Sequence, residues 1–141
     1  MRETIMYKVV RVEERTHSSK RSKSLVSVLT RNEAQVRYRV GRWATAPKFL
    51  SRYGYELLVF STRKAAQYFA RSMASRFVQI RVYRCACRGV STPGDTCRDL
   101  NYFGIPTSHL DALRTAWPSN TRMAKRVKLL GRLRHTDKKS N

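Results

Sequence analysis

Apolar and polar residues recur along this chain with two different periods, and those periods predict its elements. From Ile5 to Glu13, Tyr7 and Val9 fall on one face while Val10 and Val12 fall on the other, which reads as a first strand. Residues 14–24, ERTHSSKRSKS, carry no apolar side chain and read as a long, flexible polar connection. Leu25 to Leu29 is a short run rich in β-branched residues, and the TRNEA that follows has turn character. Val36, Tyr38 and Val40 then alternate with Arg37 and Arg39, which predicts a strand with one burying face and one face of arginines. Gly41 and Pro47 punctuate the chain, and residues 46–55 leave room for one helical turn before Gly54.

Leu57 to Phe60 is continuously apolar, as in a strand buried on both sides. Ser61 or Thr62 supplies an N-cap for the clearest helical pattern, TRKAAQYFARSMA. Ala65, Ala66, Phe69 and Met73 share its apolar face, and Arg63, Lys64, Gln67 and Arg71 its polar face. Phe77 to Ala86 returns to period 2, with Val78, Ile80 and Val82 inward and Gln79, Arg81 and Tyr83 outward. Residues 87–106 are irregular in pattern, and 107–117 read as a short helix stopped by Pro118. In the last segment Met123, Val127 and Leu130 fall at i, i+4 and i+7 among basic residues, which predicts an amphipathic helix over about 121–133.

The expected fold class is therefore α+β. A small, mostly antiparallel sheet with one packed helix, in the order β-β-β-β-α-β, occupies residues 5–88. Residues 89–118 form an irregular region with a short helix, and 119–141 a basic helical C-terminal extension.

Charge changes this picture from a fold to a partner. Thirty Lys and Arg face nine Asp and Glu, for a formal net charge of +21 in 141 residues. A compact domain so unbalanced repels itself unless a polyanion lies against it. Arg outnumbers Lys, 21 to 9, and the planar guanidinium grips phosphate or carboxylate through two parallel hydrogen bonds. No run of about 18 apolar residues exists, so no membrane span is expected. The N-terminal MRETIMYKVV enters a strand pattern at once, and the three cysteines are an odd number. A reducing location, inside a host cell or a virus particle, is expected, and not secretion.

Candidate chemistry is sparse. The chain has no phosphate-binding glycine loop, no His-Glu-x-x-His and no Gly-x-Ser-x-Gly. Glu13 and Glu14 are the only adjacent acids, and neighbours in a strand face opposite ways, so they cannot work as an acid–base pair. No catalysis and no cofactor are expected. Cys85, Cys87, Cys97 and His109 make a conceivable zinc set, but only one tight pair exists and its Cys-x-Cys spacing is shorter than the usual Cys-x₂₋₄-Cys. Cys85 and Cys87 are better read as small packing residues at a strand end. Trp43, Phe49, Tyr53, Tyr55 and Phe60 are read as core, with Trp43 the exception that presents its ring.

Tyr7–Val10, the Gly-x-Trp that closes Tyr38–Trp43, Ala46–Pro47, Gly54–Tyr55, Leu57–Phe60, Ala65–Ala70 and Ile80–Cys85 form a familiar series. It resembles a loose group of small uncharacterised α+β proteins of bacteriophages and large DNA viruses, over about residues 6–86. The resemblance implies a viral origin and a compact α+β fold, and it implies no activity.

The expected function is that of a non-enzymatic, basic viral protein that binds a polyanion, nucleic acid. Arg37, Arg39, Arg42, Trp43, Arg81 and Arg84 would serve from the folded domain, and Arg122, Lys125, Arg126, Lys128, Arg132 and Arg134 from the extension. One alternative is a minor capsid or virion-assembly protein whose arginines pair with acidic surfaces of neighbouring subunits. Another is a small enzyme or host-defence inhibitor with a pocket beside Trp43.

Overall fold

The structure is a computed structural model and describes residues 2–17, 20–28, 35–48, 56–92 and 120–134. Among the described residues its strands are β1 (Thr4–His17), β2 (Lys20–Ser27), β3 (Arg37–Tyr38), β4 (Trp43–Thr45), β5 (Leu57–Phe60), β6 (Gln79–Ser91) and β7 (Thr121–Leu133), and one complete helix, α1 (Arg63–Met73), lies between β5 and β6. All pairings are antiparallel. This is the expected mostly antiparallel α+β sheet with one helix.

The sheet closes on itself. β6 pairs β1 on one side and β7 on the other, and β5 pairs β7 along four rungs and β1 at Tyr7↔Phe60. The circuit β1–β6–β7–β5 leaves two apolar faces to cover. On one, Val9, Phe60, Val82 and Met123 pack under the helix, against Ala66, Phe69 and Met73. On the other, Met6, Val10, Val36, Tyr38, Leu57, Val59, Tyr83, Cys85, Cys87, Ala124, Val127 and Leu129 pack against one another. Both faces of β5 are used, which is why Leu57 to Phe60 is apolar throughout.

Helix α1 forms where the pattern places it. Thr62 is extended, with φ −124° and ψ 148°, and its hydroxyl accepts the Ala65 N–H at 3.2 Å, satisfying a donor that the first turn leaves open. The helix ends where Ala74 turns extended.

Several expectations are corrected. Residues 14–24 are not a loose connection: β1 and β2 pair continuously from Val10↔Ser27 to His17↔Lys20. Among the described residues five strands precede α1 instead of four, because Trp43–Thr45 adds to β7. Val40 is 52% exposed and does not join Val36 and Tyr38 in the core, because the chain reverses at Gly41, which holds φ +83°. Tyr83 points inward and is 5% exposed, since β6 is covered on both faces.

The largest correction concerns the C-terminal segment. Residues 121–133 form no helix. They are strand β7, which pairs β4, β5 and β6 inside the sheet. The helical signal was produced by strand irregularities. Met123 and Ala124 are adjacent and both buried because they face the two opposite clusters, and the register skips Leu130, so that Arg84 faces Gly131 while Cys85 faces Leu129. Burial on both faces together with this one register shift imitates i, i+4, i+7. The sheet thus extends past residue 88 to Ser91 and takes in 121–133, so this stretch belongs to the domain. The expectations for residues 18–19, 29–34, 49–55, 93–119 and 135–141, including the short helix at 107–117, lie outside the described residues.

Candidate functional site

The face of β4, β7 and β6 beyond the helix is cationic. A strand places alternate side chains on one face, and register aligns them across strands. Trp43 of β4 lies opposite Lys128 of β7, and Thr45 opposite Arg126. Lys128 in turn lies opposite Ala86 of β6, and Arg126 opposite Arg88. Trp43, Arg126, Lys128 and Arg88 therefore share one surface.

Its centre is the Trp43 indole. The Arg88 guanidinium carbon lies 4.4 Å from the ring centroid and the Lys128 Nζ 4.8 Å. Both are within cation–π range. Arg88 also donates from Nη2 to Glu3 Oε1 at 2.9 Å. Its covered Nε has no hydrogen-bond partner among the described residues. Arg126, directly across the ladder from Arg88, is exposed. Like charges at opposed positions destabilise a sheet unless an anion lies between them.

A cleft of about 570 Å³ opens beside this face, lined by Gln35, Arg37, Arg39, Arg42, Trp43 and Lys48 among others. The turn that builds it is fixed by the backbone. Gly41 N–H donates to Leu129 O at 2.8 Å, and Arg42 N–H to Arg39 O at 3.1 Å. Arg37 is exposed beside buried Val36 and Tyr38, so the alternation of one core face with one arginine face holds over Val36–Arg39.

The structure brings Arg37, Arg39, Arg42 and Trp43 together around the cleft, and Trp43, Arg126 and Lys128 on the adjoining face. It does not bring the rest to the same place. Arg81 is half-buried opposite Val10, with a covered Nε that lacks a partner among the described residues. Arg84 is exposed opposite Tyr7 and Gly131. Arg122 turns back to donate to Thr121 O at 2.8 Å. Lys125 packs its stem over Gly89, within 3.0 Å of where a Cβ would stand. Arg132 lies opposite Tyr83, and Arg134 lines a second cleft of about 830 Å³ beside the end of α1, with Arg11, Glu13, Glu14 and Arg71.

Arg88 and Lys48 were missed by sequence reasoning. The signal for Arg88 is present in the sequence: it continues the period-2 series Arg84, Ala86 on one face, past the expected strand end at Ala86.

A second polar group sits inside the core. Lys8 is 5% exposed, and its Nζ donates to Leu58 O at 2.6 Å and lies 5.2 Å from the Tyr38 ring centroid. Burial pushes its ammonium down to about 8, against a smaller upward pull from Cys85 and Cys87. The two thiols are fully buried with sulfurs 3.6 Å apart. Their mutual hydrogen bond pushes Cys85 up, reinforced by burial, and draws Cys87 down. Burial also raises the Tyr38 phenol. With both sulfurs inaccessible, Cys85 and Cys87 act as packing residues in this arrangement, while Cys97 and His109 lie outside the described residues. Among the described residues no three His, Cys, Asp or Glu stand close enough to hold a metal, and no helix is long and apolar enough to cross a membrane.

Comparison with known proteins finds no matching family, no matching curated protein and no matching solved structure.

Proposed function

We propose that this chain binds nucleic acid without catalysis, through the outer face of β4, β7 and β6 and the arginine-lined cleft beside Trp43. The observation that carries the reading is the Arg88–Arg126 rung with Lys128 stacked on the same indole as Arg88. Three cations crowd a few ångströms of sheet in a chain with only nine carboxylates for thirty bases. A sugar–phosphate backbone would relieve that repulsion, releasing counterions as it does so. Arg37, Arg39 and Arg42 extend the contact along the cleft, and the half-buried indole offers a stacking edge.

Purification with and without nuclease tests this. Nucleic acid should accompany the untreated protein and be lost after nuclease. Arg37→Ala combined with Arg39→Ala should weaken oligonucleotide binding and leave the unfolding midpoint nearly unchanged. Val36→Asp, a charge placed in the core at 7% exposure, should unfold the domain. If the double arginine variant unfolds as readily as Val36→Asp, the arginine face is structural and the reading fails.

The Arg88–Glu3 pair at 2.9 Å is the observation behind a second reading. This face takes a carboxylate, so an acidic protein surface, such as a neighbouring subunit of a virus particle, is the competing partner. Such a partner would remain bound after nuclease treatment.

A further inference from the structure

The β1–β2 hairpin outgrows the sheet that carries it. β6 accompanies β1 only as far as Val12↔Gln79, and β3 pairs only Leu25 and Val26 of β2. Beyond those rungs the ladder continues from Glu13↔Ser24 to His17↔Lys20, and no third strand pairs it among the described residues. Five rungs make a two-stranded ribbon about 17 Å long.

Nothing apolar holds this ribbon out. Residues 13–24 contain no hydrophobic side chain, and a two-stranded hairpin without an apolar face is marginal in water. Its charge is polarised along its length. Glu13, at the root, is paired with Arg11 at 3.5 Å. Residues 15–23 hold four Lys and Arg and no acid, and Lys20, Arg21, Ser22 and Lys23 are all exposed. Like charges on adjacent positions of a thin ribbon oppose its formation, so the arrangement suits a partner that supplies closely spaced negative charge on both sides.

We infer that the β1–β2 ribbon is a DNA-binding arm that enters the major groove of a duplex, an inference that rests on the nucleic-acid reading above. The B-form major groove is about 12 Å wide and admits a two-stranded ribbon, with phosphates along both walls. The A-form RNA major groove is too narrow, and a single strand offers no groove. Lys20, Arg21 and Lys23 reach phosphates or guanine edges from such a position, and Ser22 supplies a short hydroxyl. Duplex DNA is thereby the ligand class of the arm, while the Trp43 face is indifferent to strandedness.

The test compares the full chain with the variant Lys20→Ser, Arg21→Ser, Lys23→Ser. These side chains are exposed, and equal unfolding midpoints verify that the variant folds. Binding is measured to a 20-base-pair DNA duplex, to its single strands and to an RNA duplex of the same sequence. Dimethyl sulfate footprinting on the DNA duplex reports guanine N7 in the major groove and adenine N3 in the minor groove. The expected result is on the order of a hundred-fold weaker duplex DNA binding at low salt, with the salt slope shallower by about 2.7 for three lost phosphate contacts. Single-strand affinity should change less than three-fold, and N7 protection should disappear. Unchanged duplex affinity, an equal loss on single strands, or protection confined to adenine N3 overturns the arm while leaving the functional reading in place. No binding of the unaltered chain to any of the three overturns the functional reading itself.

Discussion

Replacing Lys8 with Met should change the pH dependence of stability in a direction fixed by the core. Burial holds the Lys8 ammonium at about 8 instead of its ordinary 10.5. At about 1.36 kcal/mol per pH unit, that difference corresponds to about 3 kcal/mol. Below about pH 8 the folded and unfolded chains both carry the proton, so the folded chain bears the full cost of a buried cation. Between about 8 and 10.5 the folded chain has released its proton while the unfolded chain keeps it. The unfolded state then binds more protons, and stability rises with pH. The Met variant lacks this term. It also leaves the Leu58 carbonyl without the donor it meets at 2.6 Å, a loss of about 1–3 kcal/mol that does not vary with pH. Tyr38, Cys85 and Cys87 face Lys8 and titrate in both proteins, so the difference between the two proteins is the quantity to follow. Urea unfolding at pH 7, 8, 9 and 10, with the midpoint converted at constant slope, should show the unaltered protein gaining about 2.5 kcal/mol on the variant across the range, which ends just below the unfolded value. A difference that stays flat, or that shrinks as pH rises, would mean that Lys8 reaches water and that this side of the core is wrongly described.

Three further outcomes test the sheet. Leu129 is fully buried, so Leu129→Ala should cost about 2–5 kcal/mol in chemical denaturation, and a chain ending at Asn120 should show no cooperative unfolding because β5, β6 and β4 all lose their β7 partner. Gly89→Ala should destabilise by about 1–3 kcal/mol, since Gly89 holds φ +67° and a new Cβ would stand 2.9 Å from Lys125 Cγ; an unchanged midpoint would contradict the left-handed backbone and the close approach of Lys125 at this position.

What the sequence made legible was local. Thr62 and the spacing of Ala65, Ala66, Phe69 and Met73 specify a cap and a face without help from elsewhere, and α1 forms there. Leu57–Phe60 and the Val36–Arg39 alternation carry their burial in their pattern. What was hidden depended on partners distant in sequence. β7 is buried on both faces near Met123 and shifts register once at Leu130, and only the neighbouring strands decide that it is extended. The outer half of the β1–β2 hairpin has no hydrophobic signal at all, and its pairing extends a register set at Val10 and Val12. Trp43, Arg88 and Lys128 come from three separate parts of the chain, and the ladder alone joins them. The basic residues were visible from composition, but which of them share a face was not.

The most direct measurement is the salt dependence of DNA binding by the unaltered chain and by Arg88→Ala, Arg126→Ala, Lys128→Ala. Fluorescence anisotropy of a labelled duplex, titrated from low to moderate sodium chloride, yields the slope of log K against log salt. Each phosphate neutralised on B-DNA contributes about −0.9, so the triple variant should lose affinity and show a slope shallower by about 2.7. Absence of binding at low salt, or two proteins with the same affinity and the same slope, would contradict the account of this face as a nucleic-acid contact.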